Sequence, residues 1–147
     1  MSLESTEAGV RRRSVEVGET MQIGEVAERT SLSIRTLRHY DSVGLVVPSA
    51  RSAGGFRLYT ETDVERLLVI RRMKPLEFTL AEMGELLESL DILGNDEAED
   101  EDRSAAAQFV DQCHGKALDR CETLRRHLAY GEEFAALLAA RRPVTEL

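Results

Sequence analysis

The run Ile34-Arg35-Thr36-Leu37-Arg38-His39-Tyr40-Asp41 constrains this chain more than any other stretch. Ile34 and Leu37 are spaced to supply one apolar face for a small core, which leaves Arg35, Thr36, Arg38, His39 and Tyr40 to project elsewhere. Ser33 stands immediately before, where a hydroxyl accepts from the free N–H groups of a first helical turn. A preceding helical stretch, Ile23-Gly24-Glu25-Val26-Ala27-Glu28-Arg29, is joined to it by Thr30-Ser31-Leu32. Two short helices about a tight turn, the second rich in arginine, spell a helix-turn-helix whose second helix is built to lie in a DNA major groove.

The following residues extend the pattern. Gly44-Leu45-Val46-Val47-Pro48 is expected to end the helix and start a strand. Ser52-Ala53-Gly54-Gly55 can turn the chain through positive φ, and Phe56-Arg57-Leu58-Tyr59 alternates as a returning strand. The expected product is a two-stranded wing carrying Arg51, Arg57 and Tyr59. Thr60 opens the next helix, with Asp63 in its first turn, where negative charge suits the helix dipole. Val64, Leu67, Leu68 and Ile70 recur at helical spacing, with Arg66, Arg71, Arg72 and Lys74 as exposed cations. Pro75 stops that helix or opens its last turn. Thr79 and Glu82 then form a capping box ahead of an apolar stripe of Leu80, Met83, Leu86, Leu87 and Leu90.

This order of motifs resembles the MerR family of bacterial transcription regulators. The matching residues are Ile23-Gly24-Glu25-Val26-Ala27, Arg35-Thr36-Leu37-Arg38-His39-Tyr40-Asp41, Gly44-Leu45, Gly55-Phe56-Arg57-Leu58-Tyr59 and Phe78-Thr79-Leu80. The resemblance implies a mainly α fold. A winged helix-turn-helix, four-helix domain over residues 21–92 would be followed by a long antiparallel coiled-coil dimerisation helix over 103–141. It also implies a second wing near residues 74–78, with Glu77 standing where the family has glycine. Arg35 and Arg38 would meet base edges or nearby phosphates, since arginine binds guanine bidentately. Thr36, His39 and Tyr40 would fix register on the DNA backbone. Arg51, Arg57 and Tyr59 would grip flanking phosphates, and Arg72 and Lys74 would add contacts from the second wing. Tyr40 and Phe56 also have a packing reading, even for Tyr40 and the stronger one for Phe56.

The formal net charge is −8 over 147 residues, which suits a DNA binder only once it is divided. Residues 21–78 hold nine Lys/Arg against seven Asp/Glu, whereas residues 79–147 hold seven against sixteen. DNA needs local cations, so the distribution counts for more than the total. The mildly basic half implies that specific binding depends on base contacts and dimerisation. Residues 1–20, with Arg11-Arg12-Arg13, read as a disordered leader or a basic arm, and residues 142–147 as a tail. The absence of a long apolar run argues against a membrane span, and the chain reads as cytoplasmic.

Residues 93–102 read as an acidic linker, solvated or favouring the start of the next helix by charge. Beyond it, Phe109, Val110, Cys113, Ala117, Cys121, Leu124, Leu128, Ala135 and Leu138 recur at steps of three and four. Such a stripe needs a partner, and a second copy of the chain is the simplest one. Cys113 and Cys121 match the spacing of the cysteine pair in metal-sensing relatives. On one helix, however, they lie about 12 Å apart, too far for one ion or a disulfide. Buried apolar cysteine is the main reading. Across a two-fold axis near Ala117, Cys113 of one subunit would face Cys121 of the other, which would allow an intersubunit disulfide or a shared soft metal with His114 nearby. No metal ligand set, cofactor motif or catalytic constellation is present.

The sequence therefore points to a homodimeric, sequence-specific regulator on an inverted-repeat promoter operator. The family resemblance adds distortion of an overlong promoter spacer and RNA polymerase as a partner. No large ligand-binding domain is expected after the helix, so the expected control is a small effector at the helix junction, a protein partner, or abundance alone. The alternatives are a metal or thiol-redox sensor using Cys113 and Cys121, and a protein-interaction module reusing the helix-turn-helix.

Overall fold

The computed structural model describes residues 19–143, so the expectations for Arg11–Arg13 and for residues 144–147 lie outside the described residues. Strand β1 (Met21–Gln22) leads into α1 (Ile23–Thr30) and α2 (Ile34–Ser42). A hairpin of β2 (Ala50–Arg51) and β3 (Arg57–Tyr59) follows, then α3 (Glu61–Met73), a single 3-10 turn over Lys74–Leu76, α4 (Leu80–Leu93) and α5 (Asp100–Arg141). The chain divides into two compact units, one up to Leu87 and one from Glu88 onward, and α4 runs through the division.

The sheet of the first unit has three strands in the order β1-β3-β2, not the expected two. Met21 pairs with Tyr59 and Gln22 with Leu58, so the residues leading into α1 occupy the edge of β3 that the hairpin leaves unpaired. The expected strand at residues 44–48 is absent. Gly44 adopts φ +77, and the Leu45 and Val46 N–H groups both donate to the Tyr40 carbonyl, at 2.9 and 3.3 Å. This stretch closes the C-terminus of α2, and its Val46 side chain drops into the core.

Helix starts follow the sequence more closely. Ser33 Oγ accepts from the Thr36 N–H at 3.0 Å. Thr79 and Glu82 complete their box, Thr79 N to Glu82 Oε1 at 2.8 Å and Glu82 N to Thr79 Oγ1 at 3.1 Å. Thr60 and Asp63 form a second box. Asp63 does more than favour the dipole, because it is buried. Its Oδ2 accepts from the Thr60 N–H at 3.0 Å, the Ser49 N–H at 3.1 Å and the Ser49 hydroxyl at 2.7 Å, so it ties the approach to the wing to the start of α3.

The core of the first unit gathers Val26, Leu32, Leu37, Tyr40, Val46, Tyr59, Val64, Leu67, Ile70, Met73, Phe78, Met83 and Leu87. Two arginines brace α1 against α3. Arg29 pairs with Glu61 through both carboxylate oxygens, and Arg71 donates to the Thr30 carbonyl at 2.9 Å. The Arg29 guanidinium, through that hydrogen bond, holds the Glu61 carboxyl below its ordinary range. Three apolar residues expected inside are exposed: Ile34, Leu80 and Leu90. Ile34 and Leu80 are the first residues of their helices, where a side chain leans back over the N-terminus and away from the packed turns.

In the second unit, Gly94, Asn95 and Ala98 donate their N–H groups to the carbonyls of Leu90, Ile92 and Asn95, at 3.0–3.1 Å. Arg103 closes this turn by donating to the Asn95 carbonyl at 2.8 Å and the Ile92 carbonyl at 3.4 Å. The acidic stretch is thus partly structured. Its Asp100, Glu101 and Asp102 form the first turn of α5, at the positive end of the helix dipole. The 42-residue α5 starts three residues earlier than expected and spans about 63 Å at about 1.5 Å per residue.

Candidate nucleic-acid interface

Helix α2 supplies the principal face. Leu37 and Tyr40 bury one side, and Leu32 and Val46 enter the core from the turns at either end. That anchoring leaves Arg35, Arg38 and His39 exposed at positions i, i+3 and i+4, which share a face. Thr36 is half-buried, and its hydroxyl accepts from Ser33 Oγ at 2.9 Å. Tyr40 sits in the core, which agrees with its packing reading. Its carbonyl holds the Leu45 and Val46 N–H groups.

The wing stands beside this helix. Ala50 pairs with Leu58 and Arg51 with Arg57. The turn is closed by Ser52, whose N–H donates to the Phe56 carbonyl at 2.9 Å and whose hydroxyl accepts from the Phe56 N–H at 3.1 Å. Gly55 takes φ +85, as the turn requires. Pairing Arg51 directly across from Arg57 sets like charges together. The carboxylate of Asp41, from α2, resolves this by binding both, Arg57 Nε at 2.7 Å and Arg51 Nη2 at 3.1 Å.

Tyr59 does not belong to this surface. Its ring is wholly buried, and its hydroxyl finds no hydrogen-bond partner among the described residues. Burial, with Asp41 next, pushes the phenol above its ordinary value. Strand alternation placed Tyr59 on the same face as Arg57, and that face turns inward at the last strand residue, which pairs with Met21 of β1. The reverse holds for Phe56, for which packing was the stronger reading: it is 67% exposed at the wing tip, its ring against Gly54.

Arg72 and Lys74 are both exposed, Arg72 in the last turn of α3 and Lys74 in the 3-10 turn after it. Glu77 adopts the left-handed conformation, φ 64 and ψ 31, and donates its N–H to the Lys74 carbonyl at 3.0 Å. The bend that glycine would make is therefore made by a residue with a side chain.

Along α5, Phe109, Val110, Cys113, Ala117 and Cys121 are half-buried, whereas Leu124, Leu128 and Leu138 are exposed, Leu128 at 61%. Tyr130, Phe134 and Leu137 are also exposed. Their i, i+4, i+7 spacing forms a second apolar row beside the main stripe. Neither cysteine is in a disulfide. No described helix is long and apolar enough to cross a membrane.

The model of the MerR HTH family regulatory protein matches residues 21–90. An uncharacterized HTH-type transcriptional regulator of Pseudomonas aeruginosa is 38% identical over 107 residues, covering 71% of this chain and 77% of that protein. The HTH-type transcriptional activator mta of Bacillus subtilis is 46% identical over 67 residues, which are 46% of this chain but only 26% of that protein. Among solved structures, a MerR-family transcriptional regulator from Bacillus thuringiensis shares the fold with TM-score 0.62 at 20% identity, covering 80% of this chain and 97% of that one.

Proposed function

This chain belongs to the MerR family of DNA-binding transcription regulators, and from that premise we propose that it acts as a homodimer on an inverted-repeat promoter operator. The exposed row of Arg35, Arg38 and His39 on a capped, core-anchored helix is the observation that carries this reading. In the proposed complex α2 enters the major groove, Arg35 and Arg38 reach base edges or adjacent phosphates, and Thr36 and His39 hold register. Arg57, on the wing that Arg51 braces, faces flanking phosphates, and Arg72 and Lys74 add contacts from the second wing. Two copies joined through α5 read two half-sites, so the operator repeats the symmetry of the dimer. Phe109, Val110, Cys113, Ala117, Cys121, Leu124, Leu128 and Leu138 form the pairing stripe.

Regulation proceeds by deformation of the promoter spacer, which lets RNA polymerase engage both promoter elements. The likeness to a transcriptional activator over the DNA-binding residues supports activation as the outcome. The test is Arg38→Ala, compared with the unsubstituted chain on a duplex selected from a randomised pool. The expected loss is about 1–3 kcal/mol of specific binding, with the sedimentation of the free protein unchanged. Equal affinity for that duplex would remove Arg38 from the interface.

A further inference from the structure

The two wing arginines are not equivalent. Asp41 lies in the last turn of α2 with its side chain only 11% exposed, and its Oδ2 receives both guanidinium groups. Arg57 approaches through Nε alone, at 2.7 Å. Its two terminal nitrogens hold no hydrogen bond among the described residues, and its side chain is 28% exposed. A guanidinium held by Nε presents its terminal edge as a fork with matched geometry for a phosphate. Arg51 is spent differently: Nη2 goes to Asp41, and Nη1 donates to the Gly55 carbonyl at 3.3 Å, inside the wing turn.

We propose that Asp41 is a positioning residue for phosphate capture by the wing. It fixes the rotamer of Arg57 so that the terminal edge faces DNA, and it enlists Arg51 as a brace between α2 and the wing turn. Arg57 is then the phosphate ligand, and Arg51 acts through the turn it holds. This rests on the DNA-binding reading above. It also runs against simple charge arithmetic, because removing a carboxylate from a DNA-facing surface should strengthen binding to a polyanion.

That opposition makes the test. Asp41→Asn, Arg57→Lys, the double variant and Arg51→Lys are measured in the full chain on two duplexes of equal length. One is selected from a randomised pool by the unsubstituted protein, and the other has mixed sequence. Asp41→Asn should bind the selected duplex about tenfold more weakly and the mixed duplex more weakly as well, because a phosphate contact carries no base sequence. Its plot of log affinity against log salt should lose about one unit of slope. Hydroxyl-radical protection should fade at the outer flanks while persisting where α2 lies. Arg57→Lys keeps the charge but not the fork, so it should reproduce the loss of affinity and of flank protection with the salt slope retained, and the double variant should bind little more weakly than either single variant. Arg51→Lys should leave the slope unchanged. Thermal unfolding of each variant separates these effects from loss of fold, and the non-additivity holds whatever the size of either single effect. Asp41→Asn binding the selected duplex as tightly as the unsubstituted chain, or tighter, would overturn the proposal alone. Failure of the unsubstituted chain to select any duplex would overturn the DNA-binding reading and the proposal with it.

Discussion

Tyr59 and Glu77 carry local costs that the surrounding structure absorbs. The Tyr59 hydroxyl is buried without a partner, so Tyr59→Phe removes an unsatisfied group and little packing. The expected outcome is unchanged stability or a gain of up to about 1 kcal/mol in urea unfolding. The pH dependence adds a sign. Burial raises this phenol, so its contribution is fully present below the ordinary tyrosine value near 10 and is lost as pH rises past it. Tyr59→Phe should therefore flatten the alkaline limb of the stability curve, and an unaltered limb would assign that instability elsewhere. Glu77 holds a left-handed backbone that glycine adopts freely. Glu77→Gly should stabilise by about 0.5–1 kcal/mol, the steric relief outweighing the added freedom of the unfolded chain. A lower urea midpoint would mean that the glutamate side chain contributes in a way its backbone does not. The sequence showed that Glu77 departs from the family pattern, but not that the bend would survive it. The sequence likewise grouped Tyr59 with Arg57, because alternation says which residues share a face and not which face the next element covers.

Elements were legible where the signal is local and obscure where packing decides. Ser33, Thr60 and Thr79 marked three helix starts because a cap is an interaction across three residues. The break at Pro75 is equally local. Strand β1 is two residues long and exists only through its pairing with β3, so no period in the sequence announces it. The stretch after α2 has a strand-like composition, yet its N–H groups are taken by the Tyr40 carbonyl. Asp63 shows how one cap becomes a tertiary fastening: its carboxylate serves α3 and also Ser49. Asp63→Ala should cost about 2–3 kcal/mol, since one buried and two part-buried donors lose their carboxylate acceptor. Circular dichroism with urea titration measures this, and a loss under 0.5 kcal/mol would show that water replaces the carboxylate at little cost. In the candidate site, Arg35, Arg38 and His39 were readable from helical spacing. The role of Asp41 was not, because it depends on two arginines ten and sixteen residues away meeting one oxygen.

At the scale of the whole molecule, the second unit leaves an apolar face uncovered among the described residues. Leu124, Leu128, Phe134 and Leu138 lie exposed along one helix, and such a face is stabilised when a second apolar surface covers it. Leu124→Asp with Leu128→Asp should shift sedimentation from dimer to monomer and leave the helix-turn-helix unit folded. A monomeric unsubstituted chain would place those leucines outside any pairing face. The account rests on two heads held at one spacing by that pairing, and the most direct measurement is a hydroxyl-radical footprint of the full chain, under reductant, on its selected duplex. Two protected half-sites related as an inverted repeat, with altered cleavage at their centre, are the expected result. A single protected half-site, or no selective protection at any salt concentration, would contradict it.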